Sequence, residues 1–208
     1  MQGLFITSNN TDVGKTFISC LIIKALNDKF IVEVRKPIET NCSEIAGKLL
    51  PNDAKLLQSA LKVKQDIDII CPYKFKNFAS GEVASLGKNI TLENIVDKCQ
   101  SDNFMIIEGA GGFYSPLIKD KLNSDLAIAL KLAVVIVIED KIGAISEALL
   151  TIEAVKNCGL NIFAVVLNQK IINDLDNLKY LQKYSDENII NFNPNNFRAF
   201  NCSILSQV

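Results

Sequence analysis

Residues 7–16 read TSNNTDVGKT, and this segment decides the fold that we expect for the 208-residue chain. The apolar run GLFIT, residues 3–7, leads into it, and residues 15–26 have the apolar spacing of a helix. A polar turn between a buried strand and a helix is the setting of a phosphate-binding loop, because the N–H groups at a helix N-terminus favour anions. The standard pattern of such a loop is G-x-x-x-x-G-K-[ST], and Asn9 stands at its first glycine. We call residues 7–16 the phosphate loop.

Strand-like and helix-like segments alternate along the rest of the chain. We expect strands at residues 30–35, 104–107, 133–138 and 162–167, and helices at residues 53–61, 92–99 and 145–155. The strands are apolar throughout rather than alternating, which predicts burial on both faces. The sequence therefore predicts an α/β fold with a mainly parallel sheet and helices on both faces, in one domain over residues 1–208. The asparagine-rich segment from about residue 185 to 208 is expected to be a loop-rich tail.

Composition excludes several kinds of function. Histidine is absent, so the chain has no Ser-His-Asp triad, no imidazole base and no His-ligated zinc. With 22 basic and 23 acidic residues the net charge is −1, which argues against a nucleic-acid partner. The six cysteines form no CxxC motif, and no apolar run approaches the roughly 20 residues of a membrane span. We expect a cytoplasmic protein that binds neither nucleic acid nor membrane.

The end of the phosphate loop carries the residues that we expect to bind phosphates. Gly14 lets the backbone approach the phosphate oxygens, Lys15 can reach the β- and γ-phosphates, and the Thr16 hydroxyl can ligate Mg²⁺. A chance GKT at a turn is the alternative interpretation, but the position between a strand and a helix favours a nucleotide site.

Four other candidate residues, which are Lys36, Asp53, Glu108 and Asn168, follow or adjoin predicted strands and helices. Glu108 ends one strand, before the glycine-rich residues 109–112, and a carboxylate at that edge of a parallel sheet suits Mg²⁺. Each also has a simpler interpretation: a solvated Glu108 beside a glycine-rich turn, a solvated Lys36, an N-cap at Asp53 and a turn asparagine at Asn168. Only their combination with the phosphate loop favours function.

Together these segments resemble the dethiobiotin synthetase family. Its members carry a loop close to T-G-T-D-T-x-V-G-K-T, then K-P-[IV]-E-[ST], an aspartate helix, V-E-G-A-G-G and a strand that ends in asparagine. The chain is similar, in the same order, at residues 7–16, 36–40, 53, 107–112 and 168. The resemblance covers roughly residues 1–170, and it implies a P-loop NTPase-like fold.

The resemblance implies a ligase that uses ATP and Mg²⁺ in biotin biosynthesis. Its substrates would be 7,8-diaminopelargonate, CO₂ or bicarbonate, and ATP as co-substrate. One amine captures CO₂ as a carbamate, the γ-phosphoryl group moves to that carbamate, and the neighbouring amine closes the ureido ring of dethiobiotin. The resemblance also implies a homodimer in which residues 144–147 reach the partner's site.

Roles for individual residues follow from the same resemblance. Lys36, Lys15 and Thr11 would be catalytic, and Thr16, Asp53 and Glu108 would hold Mg²⁺. The diamine and its carbamate would contact Thr40, Thr11, Lys36 and Gly111. The nucleotide would be bound by the largest set, which is Asp12, Val13, Gly14, Lys15, Thr16, Phe17, Asp53, Glu108, Gly109, Ala110, Gly111 and Asn168.

The chain departs from the family pattern at a few positions. Residues 8–10 are Ser-Asn-Asn where the family has Gly-Thr-Asp, and Glu82 and Glu147 stand at or near positions that often hold histidine. We expect these two glutamates to be the places where substrate handling differs from that of relatives.

Two other functions share this kind of phosphate loop. A partitioning-type ATPase, acting as a nucleotide switch, usually has an additional lysine early in the loop, and residues 8–13 contain none. An amidoligase of the cobyrinate or nucleotide type usually needs a glutaminase domain, for which 208 residues leave no room.

Overall fold

A computed structural model of the protein describes residues 1–195 and 197–206. The strands of this part are β1 (Gly3–Ser8), β2 (Val32–Arg35), β3 (Ile38–Glu39), β4 (Ser43–Ile45), β5 (Lys48–Leu50), β6 (Tyr73–Lys74), β7 (Phe104–Glu108), β8 (Pro116–Ile118), β9 (Lys121–Leu122), β10 (Ala133–Glu139), β11 (Ile162–Asn168) and β12 (Ile189–Phe192). Its helices are α1 (Lys15–Leu26), α2 (Asn52–Ala60), α3 (Ile67–Ile70), α4 (Gly81–Ala84), α5 (Leu92–Lys98), α6 (Asn123–Leu130), α7 (Ala144–Asn157), α8 (Asn177–Leu181) and α9 (Phe197–Leu205).

One sheet of six strands forms the centre of the fold. Its order is β12-β11-β10-β1-β7-β2, and every neighbouring pair is parallel. In β1, Ile6 lies opposite Val135 of β10 on one side and Glu108 of β7 on the other. The predicted mainly parallel sheet is therefore confirmed, with the strand before the phosphate loop in its interior.

Helices cover both faces of this sheet, as predicted. Alternate residues of β1 pack to opposite sides: Leu4 and Ile6 join a core with α1, α2 and α9, whereas Phe5 joins a core with α5, α6, α7 and α8. This alternation follows from the two-residue period of a strand. No helix within residues 1–195 and 197–206 is both long and apolar enough to cross a bilayer.

The sheet brings the candidate residues to one edge. In a parallel sheet all strands end at the same side, so the segments that follow them are neighbours. The phosphate loop follows β1, Lys36 follows β2, and Glu108 and Asn168 end β7 and β11.

The tail differs from the predicted loop-rich segment. β12 pairs in parallel with β11, and α9 packs the buried ring of Phe200 against Phe192 in an edge-to-face contact of 5.3 Å between centroids. The asparagines conceal a strand in which Ile190 and Phe192 are buried on one face of the sheet and Ile189 on the other. Residues 196, 207 and 208 of the predicted tail lie outside the described residues.

This correction can be tested by shortening Phe200. A buried phenylalanine leaves a cavity when it is replaced, so Phe200→Ala is expected to lower the free energy of unfolding by about 3–5 kcal/mol. Urea denaturation measures the change. Cys202→Ala, at an exposed position of the same helix, is the control, and it should stay within about 0.5 kcal/mol of the original protein. Equal, small effects of both variants would favour a loop-rich tail after all.

Candidate functional site

The phosphate loop turns into α1 through a glycine that the structure requires. Gly14 has φ 96°, in the left-handed region, and a Cβ there would lie 2.2 Å from Nδ2 of Asn168. That Nδ2 donates a hydrogen bond of 2.8 Å to the carbonyl oxygen of Val13. Asn168, predicted to bind the nucleotide, therefore also fixes the backbone of the phosphate loop.

Lys15 is the buried cation of the phosphate loop. Its Nζ donates hydrogen bonds of 2.9 Å to Ser8 Oγ and to the carbonyl oxygen of Asn10. Both partners are neutral oxygens of the same loop. Burial, followed by the positive charge of Lys36, lowers the pKa of Lys15 to about 8. The ammonium is thus placed where an incoming phosphate could replace two weak partners.

A fully buried carboxylate lies beside the first turn of α1. Glu108 Oε1 accepts hydrogen bonds from Thr16 Oγ1 at 2.8 Å and from Lys36 Nζ at 2.6 Å, and its Oε2 accepts one from Ser19 Oγ at 2.7 Å. Lys36 Nζ also lies 3.2 Å from Asp53 Oδ2. We call these five residues the Glu108 cluster. It unites Thr16, Lys36, Asp53 and Glu108, which the sequence placed in one site.

Lys36 remains an ammonium in this cluster. Its burial disfavours the charge, but Glu108, Asp53 and Glu39 outweigh that effect and raise the pKa of Lys36 above its ordinary value. Lys36 can therefore serve as a fixed positive charge, and it is unsuited to act as a base near neutral pH.

Glu39 holds the helix that carries Asp53. Pro51 precedes α2 and offers no capping side chain, and the buried Glu39 carboxylate instead accepts the N–H groups of Asp53 at 2.9 Å and Ala54 at 3.0 Å. Burial, the largest influence, raises the pKa of Glu39. The sequence contained Glu39 in the quoted motif, but it gave no sign that the carboxylate would cap a helix more than ten residues away.

The glycine-rich loop after β7 is shaped by another residue that sequence analysis missed. Asn123, fully buried at the start of α6, donates through Nδ2 to the carbonyl oxygens of Ala110 at 2.6 Å and Ser115 at 3.1 Å, and its Oδ1 accepts the Ala110 N–H at 3.0 Å. A Cβ at Gly112 would lie 2.5 Å from the carbonyl oxygen of Asn9, so this loop also packs closely on the phosphate loop.

Two adjoining cavities open at this edge of the sheet. One, of about 220 Å³, is lined by Lys36, Glu39 and Asp53 among others, and the second, of about 320 Å³, lies toward residues 78–81 and 115–116. Both are also lined by Thr11, Thr40, Phe78, Ala110 and Gly111. The predicted substrate residues Thr11, Thr40 and Gly111 thus line both cavities, and Lys36 lines the smaller one.

The remaining predicted residues make separate contacts around the phosphate loop and the Glu108 cluster. Asp12 has φ 57°, and its carbonyl oxygen accepts a hydrogen bond from Lys170 Nζ at 2.8 Å. Phe17 is half exposed and its ring lies edge-on to Phe192, with 5.4 Å between centroids. The carbonyl oxygen of Gly109 accepts from Lys36 Nζ at 3.2 Å.

Glu82 and Glu147, the two glutamates at or near positions where the family pattern often has histidine, make different contacts. Glu82 Oε1 accepts the backbone N–H of Asp120 at 3.2 Å. Glu147 Oε2 accepts a hydrogen bond from Nδ2 of Asn9 in the phosphate loop at 2.9 Å. Glu147 is therefore in contact with the phosphate loop of its own chain.

The oxygen atoms of the Glu108 cluster suit a divalent cation. Mg²⁺ prefers hard oxygen ligands and usually combines one or two carboxylates with water and phosphate oxygens. Within the part of the chain that the structure describes, no group of three or more His, Cys, Asp or Glu residues could hold a metal. A cation here would depend on two carboxylates, Asp53 and Glu108, the hydroxyl of Thr16 and its own phosphate ligands.

Comparison with known proteins gives the family. A family model described as an AAA domain matches residues 2–196. Two proteins named ATP-dependent dethiobiotin synthetase BioD, from Vesicomyosocius okutanii and Ruthia magnifica, are 46% and 43% identical to the chain over 202 residues. These matches cover 96% of this chain and 94% and 95% of the relatives. A protein of the same name from Methanocaldococcus jannaschii is 33% identical, over 86% of this chain and 85% of its own.

Solved structures with the same fold are more distant in sequence. A ParA family ATPase from Chlorobium tepidum has a TM-score of 0.55 and 14% identity, covering 100% of this chain and 90% of that one. The septum site-determining protein MinD from Pyrococcus horikoshii, complexed with Mg-ADP, has a TM-score of 0.54 and 13% identity, covering 100% and 86%. At this identity the likeness concerns the fold, and it confirms the expected P-loop NTPase-like architecture.

Lys15 is expected to make phosphate binding depend on pH. Its pKa of about 8 means that the free protein loses this positive charge as pH rises above 8, whereas the predicted contact of Lys15 with phosphate requires it. The Kd for ADP in metal-free buffer should therefore rise by up to about tenfold per pH unit above pH 8. Isothermal titration calorimetry measures this change. Lys15→Arg keeps its charge and should abolish the rise; a constant Kd for the original protein from about pH 7 to 9 would contradict the role given to Lys15.

Proposed function

The chain belongs to the family of ATP-dependent dethiobiotin synthetases, the ligases of biotin biosynthesis, and on this premise we propose how its own residues form dethiobiotin. The substrates are 7,8-diaminopelargonate, CO₂ or bicarbonate, and ATP. The observation that carries the proposal is the Glu108 cluster, where a buried ammonium, two carboxylates and the phosphate-loop threonine meet beside the two cavities.

Carbamate formation takes place in the cavities lined by Thr11 and Thr40. One amine of the substrate attacks CO₂, so the protein needs no nucleophile of its own. The new carbamate is an anion, and Lys36 lines the cavity as a permanently protonated counter-charge. Thr11, Thr40 and the backbone at Gly111 supply hydrogen-bonding groups for the carbamate and the diamine.

Phosphoryl transfer joins the nucleotide to this carbamate. The N–H groups of the phosphate loop and the start of α1 face the phosphates, and Lys15 leaves Ser8 and Asn10 for phosphate oxygens. Thr16, Asp53 and Glu108 would hold Mg²⁺, which supplies charge neutralisation for the transferring group. Asn168 and the backbone of residues 109–111 border the nucleotide.

Ring closure needs only the second amine of the substrate. It attacks the carbamic–phosphoric anhydride carbon and expels phosphate, which leaves as a stable anion. The chain has no histidine to act as a base. The proton that the first amine loses on forming the carbamate passes to solvent, and the departing phosphate accepts the proton that the second amine loses on ring closure, so these steps require no imidazole.

We also propose a cytoplasmic homodimer. The apolar side chains of Ile142 and Leu150, before and within α7, are largely exposed, which supports a contact between two copies on this side. Residues 144–147 then lie near the partner's site. The likeness to ParA and MinD proteins concerns only the fold, so it gives no support to a partitioning function.

The proposed reaction can be tested directly. The purified protein with ATP, Mg²⁺, bicarbonate and 7,8-diaminopelargonate is expected to form dethiobiotin and ADP in equal amounts, measured by mass spectrometry and a coupled ADP assay. Omission of the diamine should abolish ADP formation. ATP hydrolysis at the same rate without the diamine, and no dethiobiotin with it, would contradict the proposal and favour a nucleotide switch.

The role of the Lys36–Glu108 pair in the reaction can be separated from its contribution to the fold. Lys36→Met leaves Glu108 buried without its cation, so we expect both loss of activity and a decrease of about 3–5 kcal/mol in the free energy of unfolding. Lys36→Met combined with Glu108→Gln removes both charges and should recover most of the stability, but not the activity. Urea denaturation and the product assay measure the two effects.

A surface ion pair provides the control for this experiment. Lys76 Nζ lies 2.7 Å from Glu44 Oε2, but both side chains are exposed, so Lys76→Met should change stability by less than about 1 kcal/mol and leave turnover intact. Near-normal turnover by the Lys36→Met/Glu108→Gln variant would remove Lys36 from the mechanism.

A further inference from the structure

The backbone of the phosphate loop does not need glycine at its first pattern position. Within residues 7–16, positive φ angles occur at Asp12 and Gly14, and Asn9 is not among them. Asn9 therefore adopts an ordinary conformation and carries a side chain that the standard pattern lacks. That side chain must find a partner at the edge of the sheet.

The partner of Asn9 is a carboxylate on α7. Nδ2 of Asn9 donates to Glu147 Oε2 at 2.9 Å, and the orientation of the amide follows from chemistry, because a carboxylate can only accept. The Oδ1 of Asn9 is buried and has no hydrogen-bond partner among residues 1–195 and 197–206. The contact with Glu147 is thus the hydrogen bond by which the Asn9 side chain is held.

Glu147 belongs to a series of ion pairs between charged side chains, and the last of these side chains contacts the phosphate loop again. Its Oε1 lies 3.6 Å from Lys141 Nζ, and the same Nζ lies 3.9 Å from Glu139 Oε2. Glu139 Oε1 lies 3.6 Å from Lys170 Nζ, which donates to the carbonyl oxygen of Asp12 at 2.8 Å. We call these four charged residues the clasp, because they connect two positions of the phosphate loop, Asn9 and Asp12.

The clasp affects the shape of the phosphate loop more than it affects the stability of the fold. Its ion pairs are partly exposed, and such pairs each contribute little to folding. Asp12, however, has a left-handed backbone that disfavours residues other than glycine, and the N–H groups of the loop bind phosphates only when the loop keeps its shape. Fixing Asn9 and Asp12 from outside keeps that shape before the nucleotide arrives.

We propose that Glu147 is a positioning residue that fixes the phosphate loop through Asn9 and so sets the affinity for the nucleotide phosphates. This role of Glu147 rests on the nucleotide site of the proposed function. With this role, Glu147 affects nucleotide binding and not, as expected from the sequence, the handling of the diamine substrate. The predicted approach of residues 144–147 to a partner's substrate gives the competing outcome, in which Glu147 changes the binding of the diamine instead.

The test is a double-mutant cycle on ADP binding, measured by isothermal titration calorimetry with Mg²⁺ and no diamine. Glu147→Ala is expected to weaken binding about tenfold, since a hydrogen bond to a charged group is lost. Asn9→Gly restores the standard pattern and removes the amide that needs Glu147. In that background Glu147→Ala should cause no further change in Kd. Glu153→Ala, at an exposed position of the same helix, is the control and should leave Kd unchanged.

Steady-state kinetics separate positioning from a structural role. Glu147→Ala should raise KM for ATP and leave KM for the diamine and the melting temperature close to their original values, while Glu147→Gln, which can still accept from Asn9, should restore part of the affinity. Equal effects of Glu147→Ala in both backgrounds, or an effect on the diamine alone, would overturn the proposal. If Glu147→Ala does not fold, Glu147→Gln takes its place in the cycle. Its effect on the Kd for ADP should then be present in the original background and absent in the Asn9→Gly background. Failure to make dethiobiotin with ADP binding intact would refute the proposed function but not this one.

Discussion

The carboxylate of Glu108 determines how the edge of the sheet is assembled. It is fully buried at the end of β7, and a charge in that position costs several kcal/mol unless donors surround it. Thr16 and Ser19 of α1 and Lys36 after β2 supply those donors, and Lys36 extends the contact to Asp53 of α2. One buried charge therefore fixes three other elements relative to β7. Apolar residues of the same volume could hold these elements as well, so the ionic cluster is better understood through the charged substrates it faces.

Most of the sheet and its main helices could be predicted because their signals are local. The β-branched run of β10 and the apolar spacing of α1 and α7 lie within single segments. The strand β12 was missed because its residues stand among asparagines and its hydrogen bonds come from β11, more than twenty residues earlier. The helix α6 was missed for another reason: its sequence NSDLAIAL shows little contrast between apolar and polar sides.

The residues of the candidate site likewise fall into those that the sequence predicted and those that it did not. Residues of the quoted motifs could be located because each motif combines spacing with chemistry, and the structure brings Thr16, Lys36, Asp53 and Glu108 together. Asn123 could not be found from sequence, because its side chain acts through four hydrogen bonds to a loop that precedes it and has no motif of its own. The contact between Asn9 and Glu147 joins residues 138 positions apart, and no local pattern records such a distance.

Lys15 and Lys36 differ in pKa because their hydrogen-bond and ion-pair partners differ. This difference explains how a chain without histidine can supply the positive charges that the reaction needs. Lys15 is bound by a hydroxyl and a carbonyl, and burial lowers its pKa to about 8, so it can exchange these neutral partners for phosphate at little cost. Lys36 is equally buried, but Glu108 and Asp53 raise its pKa, and its departure would leave a buried carboxylate without a cation. In the proposed reaction Lys15 is therefore the cation that moves to the substrate, and Lys36 is the one that stays. In the proposed reaction both act as charges rather than as bases, and the protein needs no imidazole.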